Sequence, residues 1–95
     1  MEIESIRHKA LRRFVETGQA KGLPGDLVRR LLKMVAFIIA AETLDELATP
    51  PNYGLHPMVG DRLGTWSMTV TKNWRMTFTL TETGAVADLD LEDYH

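Results

Sequence analysis

The stretch GTWSMTVTKNWRMTFTL, residues 64–80, decides the fold of this 95-residue chain. Trp66, Met68 and Val70 alternate with Thr65, Ser67 and Thr69. Trp74, Met76, Phe78 and Leu80 alternate with Arg75, Thr77 and Thr79. A period of two sends successive side chains to opposite faces of a strand, so each run carries one apolar and one polar face. That is the pattern of an antiparallel sheet buried on one side only. Asn73 marks a turn between the two runs. The segments Tyr53–Met58 and Ala85–Leu91, set off by Gly60, Asp61 and Glu82-Thr83-Gly84, predict one strand before this pair and one after it.

Upstream the period changes to that of a helix. From about Arg7, the residues Ala10, Leu11, Phe14 and Val15 fall on one side, and Gly18 ends the pattern. Thr17–Gly25, with Gly18, Gly22, Pro24 and Gly25, reads as a connecting loop. Leu27, Leu31, Met34, Val35 and Ile38 then recur at steps of three and four, with Arg29, Arg30 and Lys33 off that stripe. The apolar run Met34–Ala41 is eight residues, far short of the ~20 that cross a bilayer. Thr43 with Glu46 fits a capping box for one further helical turn, which Pro50 and Pro51 end. Residues 2–6 alternate loosely and could form a short strand. The chain is therefore expected to be a single α+β domain over residues 1–95, with two or three N-terminal helices packed on a small antiparallel sheet.

Composition narrows the chemistry. There is no cysteine, which excludes disulfides, zinc-thiolate sites and a thiol nucleophile. Met1–Ile6 lacks the basic start and apolar run of a signal peptide, so a cytoplasmic location is expected. The formal charge is −2, which on its face speaks against a nucleic-acid partner. Split by position it does not: residues 1–33 carry eight basic and four acidic side chains, and the remainder three basic and nine acidic. Arg12, Arg13, Arg29, Arg30 and Lys33 thus have two readings, as solvated helix faces or as phosphate contacts.

Three histidines are available. His8 falls in the first helix, where a surface role is expected. His56 is read as closing a strand ahead of Pro57 and the Gly60-Asp61-Arg62 turn, and His95 ends the sequence after Glu92, Asp93 and Tyr94. A meander could bring His56, Arg75, Asp93, Tyr94 and His95 to one edge of the sheet. Imidazoles, a carboxylate, a phenol and a guanidinium suit RNA cleavage by internal transfer. Attack of a ribose 2′-OH on its own phosphate needs a base, an acid for the leaving oxygen, and a cation for the developing charge. Histidine serves as acid and base near neutral pH, and arginine matches phosphate with its fork of donors. In a domain of this size the same residues are more often ordinary surface groups. Asp61 and Arg62 read as turn residues, with an RNA contact open to Arg62. Trp66 and Trp74 alternate with core residues and read as packing, with stacking on a base as the other option. A metal site built on His56 and His95 lacks any ligand spacing to support it.

The strings LHPMVGDRLGTWSMTVTKNWRMTF (residues 55–78), LEDYH (91–95) and IRHKALRRFVETG (6–18) resemble the HigB branch of the RelE-like toxins, small bacterial mRNA interferases encoded beside an antitoxin. The resemblance implies helices on a small antiparallel sheet and a metal-independent, ribosome-dependent endoribonuclease acting on translated mRNA. It implies no cofactor, and an antitoxin of helix-turn-helix type, HigA-like, through which alone the protein would meet DNA. It assigns His56 to acid–base or transition-state contact, Arg75 to phosphate, Asp93 and His95 to proton transfer, and Tyr94 to stacking or base positioning. The chain departs from the pattern at Val59, where many such toxins carry a lysine, so a phosphate contact is lost and Arg62 is the available substitute. An alternative follows from that departure: a catalytically weakened homologue acting mainly as antitoxin-binding partner and co-regulator of operator binding.

Overall fold

The structure, a computed structural model, describes residues 1–93. Three helices, α1 (Lys9–Thr17), α2 (Val28–Ala40) and α3 (Leu44–Ala48), precede four strands, β1 (His56–Pro57), β2 (Thr65–Thr71), β3 (Trp74–Leu80) and β4 (Val86–Asp93). The strands form one sheet in the order β1-β2-β3-β4, and every neighbouring pair is antiparallel. The α+β arrangement expected from the sequence is the one observed.

Local chemistry sets the helix ends. His8 caps α1: its Nδ1 accepts a hydrogen bond from the Leu11 N–H at 3.1 Å. The histidine read as a surface residue therefore satisfies one of the helix's orphan donors. Gly18 closes α1 in a left-handed conformation (φ 80°), its N–H bonded to the Phe14 carbonyl. Thr43 caps α3 through Oγ1 and the Glu46 N–H. The return bond of the expected capping box is shifted by one residue, because the Glu46 carboxylate accepts from the N–H of Glu42 rather than of Thr43.

The helices bury their stripes against the apolar face of the sheet. Leu11, Leu31, Met34, Ile38 and Leu47 are fully buried with Met68, Met76, Val86 and Leu89 in one continuous core. Trp66 and Trp74 are half-buried and pack on its margin, as their alternation predicted. Residues 2–6 make only isolated parallel bridges, Ile3 to Val86 and Ile6 to Leu89, rather than a full strand.

Two irregularities shape the polar face. The strand expected over Tyr53–Met58 is reduced to His56–Pro57 because Tyr53 and Gly54 both take positive φ (50° and 66°). The Gly54 N–H is held by the Asn52 Oδ1 at 3.1 Å in an Asx turn. In β4, Asp88 also has positive φ (52°), and the register with β3 jumps there: Thr79 faces Ala87 while Thr77 faces Asp90. That extra residue is a β-bulge. It keeps Val86, Leu89 and Leu91 all on the core side and turns Ala87, Asp90 and Glu92 to the other.

Candidate functional site

The polar face is built in rows by the strand register. Across one row lie His56, Ser67, Thr77 and Asp90; across the next lie Thr69, Arg75 and Glu92. Adjacent strands are about 4.8 Å apart, so the backbone of His56 stands roughly 10 Å from that of β3, with Arg75 one pleat further along the same face. The register therefore brings His56 and Arg75 onto one surface, as the meander required.

The His56 ring is exposed and oriented. Its Nδ1 lies 2.8 Å from the Gly54 carbonyl. A carbonyl oxygen only accepts, so Nδ1 carries the proton and, in the neutral imidazole, the Nε2 lone pair is left for a substrate. The Tyr53–Gly54 turn that shortens β1 is what brings that carbonyl into reach.

At the centre of the face is a residue that the sequence analysis did not single out as a site residue. Glu92 lies directly across from Arg75 and accepts from four donors. Arg62 Nη1 and Nη2 reach Oε1 and Oε2 at 2.7 Å each, Arg75 Nη2 reaches Oε1 at 3.3 Å, and the Thr77 hydroxyl donates to Oε2. A carboxylate offers about four acceptor positions, and all are used. The Arg62 hydrogen bonds, with help from Thr77 and Arg75, hold the Glu92 carboxyl at about 2, well below its ordinary value near 4.5, against the opposing effect of burial. The same pairing raises Arg62 above its ordinary value. Glu92 is thus a fixed anion over the working pH range, with neither a proton to give nor a lone pair to spare.

Arg62 belongs to the 3-10 turn Gly60–Arg62 in the loop between β1 and β2. To reach Glu92 on β4 that loop folds over the polar face. Ser67 and Thr77, expected on a solvated side, are accordingly only 2% exposed each. Next to Arg62 in the sequence, Val59 and Leu63 are 81% and 80% exposed. No cation stands at position 59, and Arg62 supplies one beside Arg75.

The remaining predicted positions divide. Asp93 pairs with Trp74, and strand alternation sets it on the face opposite Arg75 and Glu92. The terminal carboxylate that shares a face with Arg75 among the described residues is Glu92, not Asp93. Tyr94 and His95 lie outside the described residues. Arg12, Arg13, Arg29, Arg30 and Lys33 are all exposed on α1 and α2. Arg12 stands 3.9 Å from Glu16, one turn along the helix. The Arg30 guanidinium lies 5.4 Å from the ring centre of Tyr53, whose ring packs edge-on against Phe37. Among the described residues no group of three His, Asp or Glu side chains converges to hold a metal.

The signal for Glu92 was present. Val86, Leu89 and Leu91 follow a three-then-two spacing, which a strand can satisfy on one face only through a bulge. Strict alternation from Val86 would instead set Glu92 on the core side.

Known sequences similar to this chain include a toxin family and a named relative. A family described as the RelE-like toxin of type II toxin-antitoxin system HigB matches residues 4–95. A relative from Proteus vulgaris, Endoribonuclease HigB, is 41% identical over 93 residues, covering 98% of this chain and 99% of its own.

Proposed function

Because the chain belongs to the HigB family of RelE-like toxins of type II toxin–antitoxin systems, we propose that it is an endoribonuclease that cleaves translated mRNA on the ribosome through the polar face of its sheet. Membership in a toxin–antitoxin system carries an antitoxin partner. We assign that partner to the helix-turn-helix class, HigA-like, and the site of action to the cytoplasm, where ribosomes are.

The observation that carries this reading is the pairing of an oriented imidazole with a tethered arginine on one face. His56, its Nδ1–H bonded to Gly54, presents Nε2 to a ribose. The reaction is an internal transfer. The 2′-oxygen attacks phosphorus as its proton leaves to a base, the P–O5′ bond breaks, and O5′ takes a proton from an acid. The products are a 2′,3′-cyclic phosphate and a 5′-hydroxyl. His56 fills one of the two proton-transfer roles, and Asp93 and His95 are assigned to the other. Arg75, half-buried and held by Glu92, faces the non-bridging oxygens, where negative charge grows in the transition state. Tyr94 is assigned to stacking on a base next to the cleaved bond. No metal or organic cofactor enters these steps.

The alternative of a weakened toxin rests on Val59. Arg62 counts against it, because its guanidinium stands 2.7 Å from the same carboxylate that Arg75 contacts, so the site holds two cations without a lysine at position 59. The discriminating experiment is cleavage of mRNA on programmed ribosomes by the purified wild type. Cleavage leaving a cyclic phosphate supports the enzyme. An inert wild type that gains cleavage on Val59→Lys supports the weakened toxin.

A further inference from the structure

Arg62 and Glu92 are thirty residues apart and lie on opposite sides of the polar face, one on the β1–β2 loop and the other on the far strand β4. The bond between them is a bidentate fork, the strongest and most directional pairing available to these side chains. It lies over Thr77, which itself donates to the carboxylate, and beside Arg75, which shares Oε1. Among the described residues, the backbone bonds of the loop from Met58 to Gly64 are local. The Met58 N–H bonds to the Thr65 carbonyl at its base, and the bonds at Arg62 and Leu63 are internal to the turn. Val59 and Leu63 project into solvent on either side.

Charge makes this arrangement costly for a protein that binds a polyanion. Asp90 and Glu92 share this face with Arg62 and Arg75, and Asp61 precedes Arg62 in the loop. A carboxylate at the centre of such a face repels phosphate and neutralises one of the two cations that would bind it. A purely electrostatic design would place a neutral residue there. The geometry supplies a reason for the carboxylate, since it holds a loop arginine and a strand arginine together with its four acceptor positions filled.

We infer that Glu92 is the positioning residue of the RNA site: its carboxylate pins the Arg62 loop across the sheet and sets Arg62 beside Arg75 as a two-arginine phosphate cradle. This rests on the endoribonuclease reading above and assigns Glu92 no contact with RNA. It acts through Arg62. Removing it frees the loop, spreads the two guanidiniums and costs catalysis despite the gain in net positive charge.

The test has two arms. In the first, limited trypsin digestion of folded protein reads the pin, because trypsin must take the Arg62 side chain into its own pocket and in the closed loop that guanidinium is engaged by Glu92. Glu92→Gln, nearly isosteric but uncharged, should be cut at Arg62 at least 5-fold faster than wild type, and Glu92→Ala faster still, with cutting after the exposed Arg13 unchanged. Equal rates at Arg62 overturn the pin. In the second arm, kcat/KM for mRNA cleavage on programmed ribosomes is measured for wild type, Arg62→Ala, Glu92→Ala and the double variant. Each single change should lower kcat/KM about 10-fold or more, mainly in kcat, with Glu92→Gln between Glu92→Ala and wild type. The double variant should be no worse than the poorer single one, because the two residues act as a unit. Losses that multiply, or a Glu92→Ala protein that cleaves as well as or better than wild type, overturn the inference. A wild type that keeps the pin in the trypsin arm yet cleaves nothing overturns the functional reading, and the role assigned to Glu92 falls with it.

Discussion

Arg62 and Arg75 converge on one carboxylate, whereas Arg12, Arg13, Arg29, Arg30 and Lys33 stand exposed along two helices. The sheet pair is fixed by cross-strand register, a bidentate fork and partial burial. The helix cations hold weaker attachments, such as the 3.9 Å approach of Arg12 to Glu16 between two half-exposed side chains. Such a pair contributes on the order of 0.3–0.5 kcal/mol. On the proposed function, the difference separates two jobs within one polarity of charge. An arginine that must meet a transition state cannot search for it, because the charge it stabilises exists only briefly and a pre-set donor has no reorganisation to complete. A cation that docks a polyanion gains from staying mobile and hydrated. The overall charge of −2 hides both sets of cations.

The largest expected effects fall on the sheet. His56→Ala should lower the cleavage rate by about 10²–10⁴, the range of a lost acid–base group, with thermal melting unchanged because the ring is exposed. A His56→Ala protein that cleaves normally on programmed ribosomes would remove the imidazole from the mechanism. Arg75→Ala should cost about 10²–10³ in kcat. If instead it raises KM at constant kcat, Arg75 binds substrate and transition state alike, and the contrast with the helix cations disappears.

Effects at the helices should be of another kind. Arg12→Ala, Arg13→Ala and Lys33→Ala should leave kcat at the wild-type level and weaken docking more at low salt than at high. Each lost phosphate contact should reduce the slope of log affinity against log salt by about 1. Ribosome co-sedimentation across a salt series checks this, and an unchanged slope returns these residues to the solvated-face reading.

Acid separates the two groups by stability. Glu92 titrates at about 2 in the folded protein against an ordinary value near 4.5. Its folded pKa is depressed, so its contribution is fully present above about pH 4.5 and is lost as pH falls toward 2. At a group one-fifth exposed that contribution is on the order of 2 kcal/mol. Denaturant unfolding of wild type should weaken over that window, and Glu92→Gln should show a flatter profile there. The smallest effect is at the first helix: His8→Ala should remove the cap on Leu11 and cost about 1 kcal/mol, a fall of roughly 4–8 °C in melting temperature for a domain of this size.

Most of the fold was legible because its periodicities are clean. Trp66-Met68-Val70 and Trp74-Met76-Phe78-Leu80 announce a hairpin, and Leu27-Leu31-Met34-Val35-Ile38 a buried helix. Where the reading fell short, a single backbone conformation overrode a side-chain pattern. Positive φ at Tyr53 and Gly54 reduced a six-residue strand to two. Positive φ at Asp88 inverted the alternation of β4 and carried Glu92 to the face that strict alternation would have given Asp93. Neither Tyr nor Asp is a residue whose presence signals a left-handed backbone as glycine does. His56, Arg75 and Arg62 were named from the sequence as candidates, and the structure sets all three on one face. Glu92, which faces Arg75, was missed because its side of the strand depends on the bulge that the Val86-Leu89-Leu91 spacing signals and strict alternation ignores.

If this face cuts RNA by internal transfer with Arg75 on the phosphate, the cut ends carry the signature. The direct measurement is the chemistry of the ends left on an mRNA cleaved by the purified protein on programmed ribosomes, with Arg75→Ala in parallel. Internal transfer leaves a 2′,3′-cyclic phosphate upstream and a 5′-hydroxyl downstream, and the variant should cleave at least 100-fold more slowly. A 5′-phosphate end, or an Arg75→Ala protein that cleaves at the wild-type rate, would contradict it.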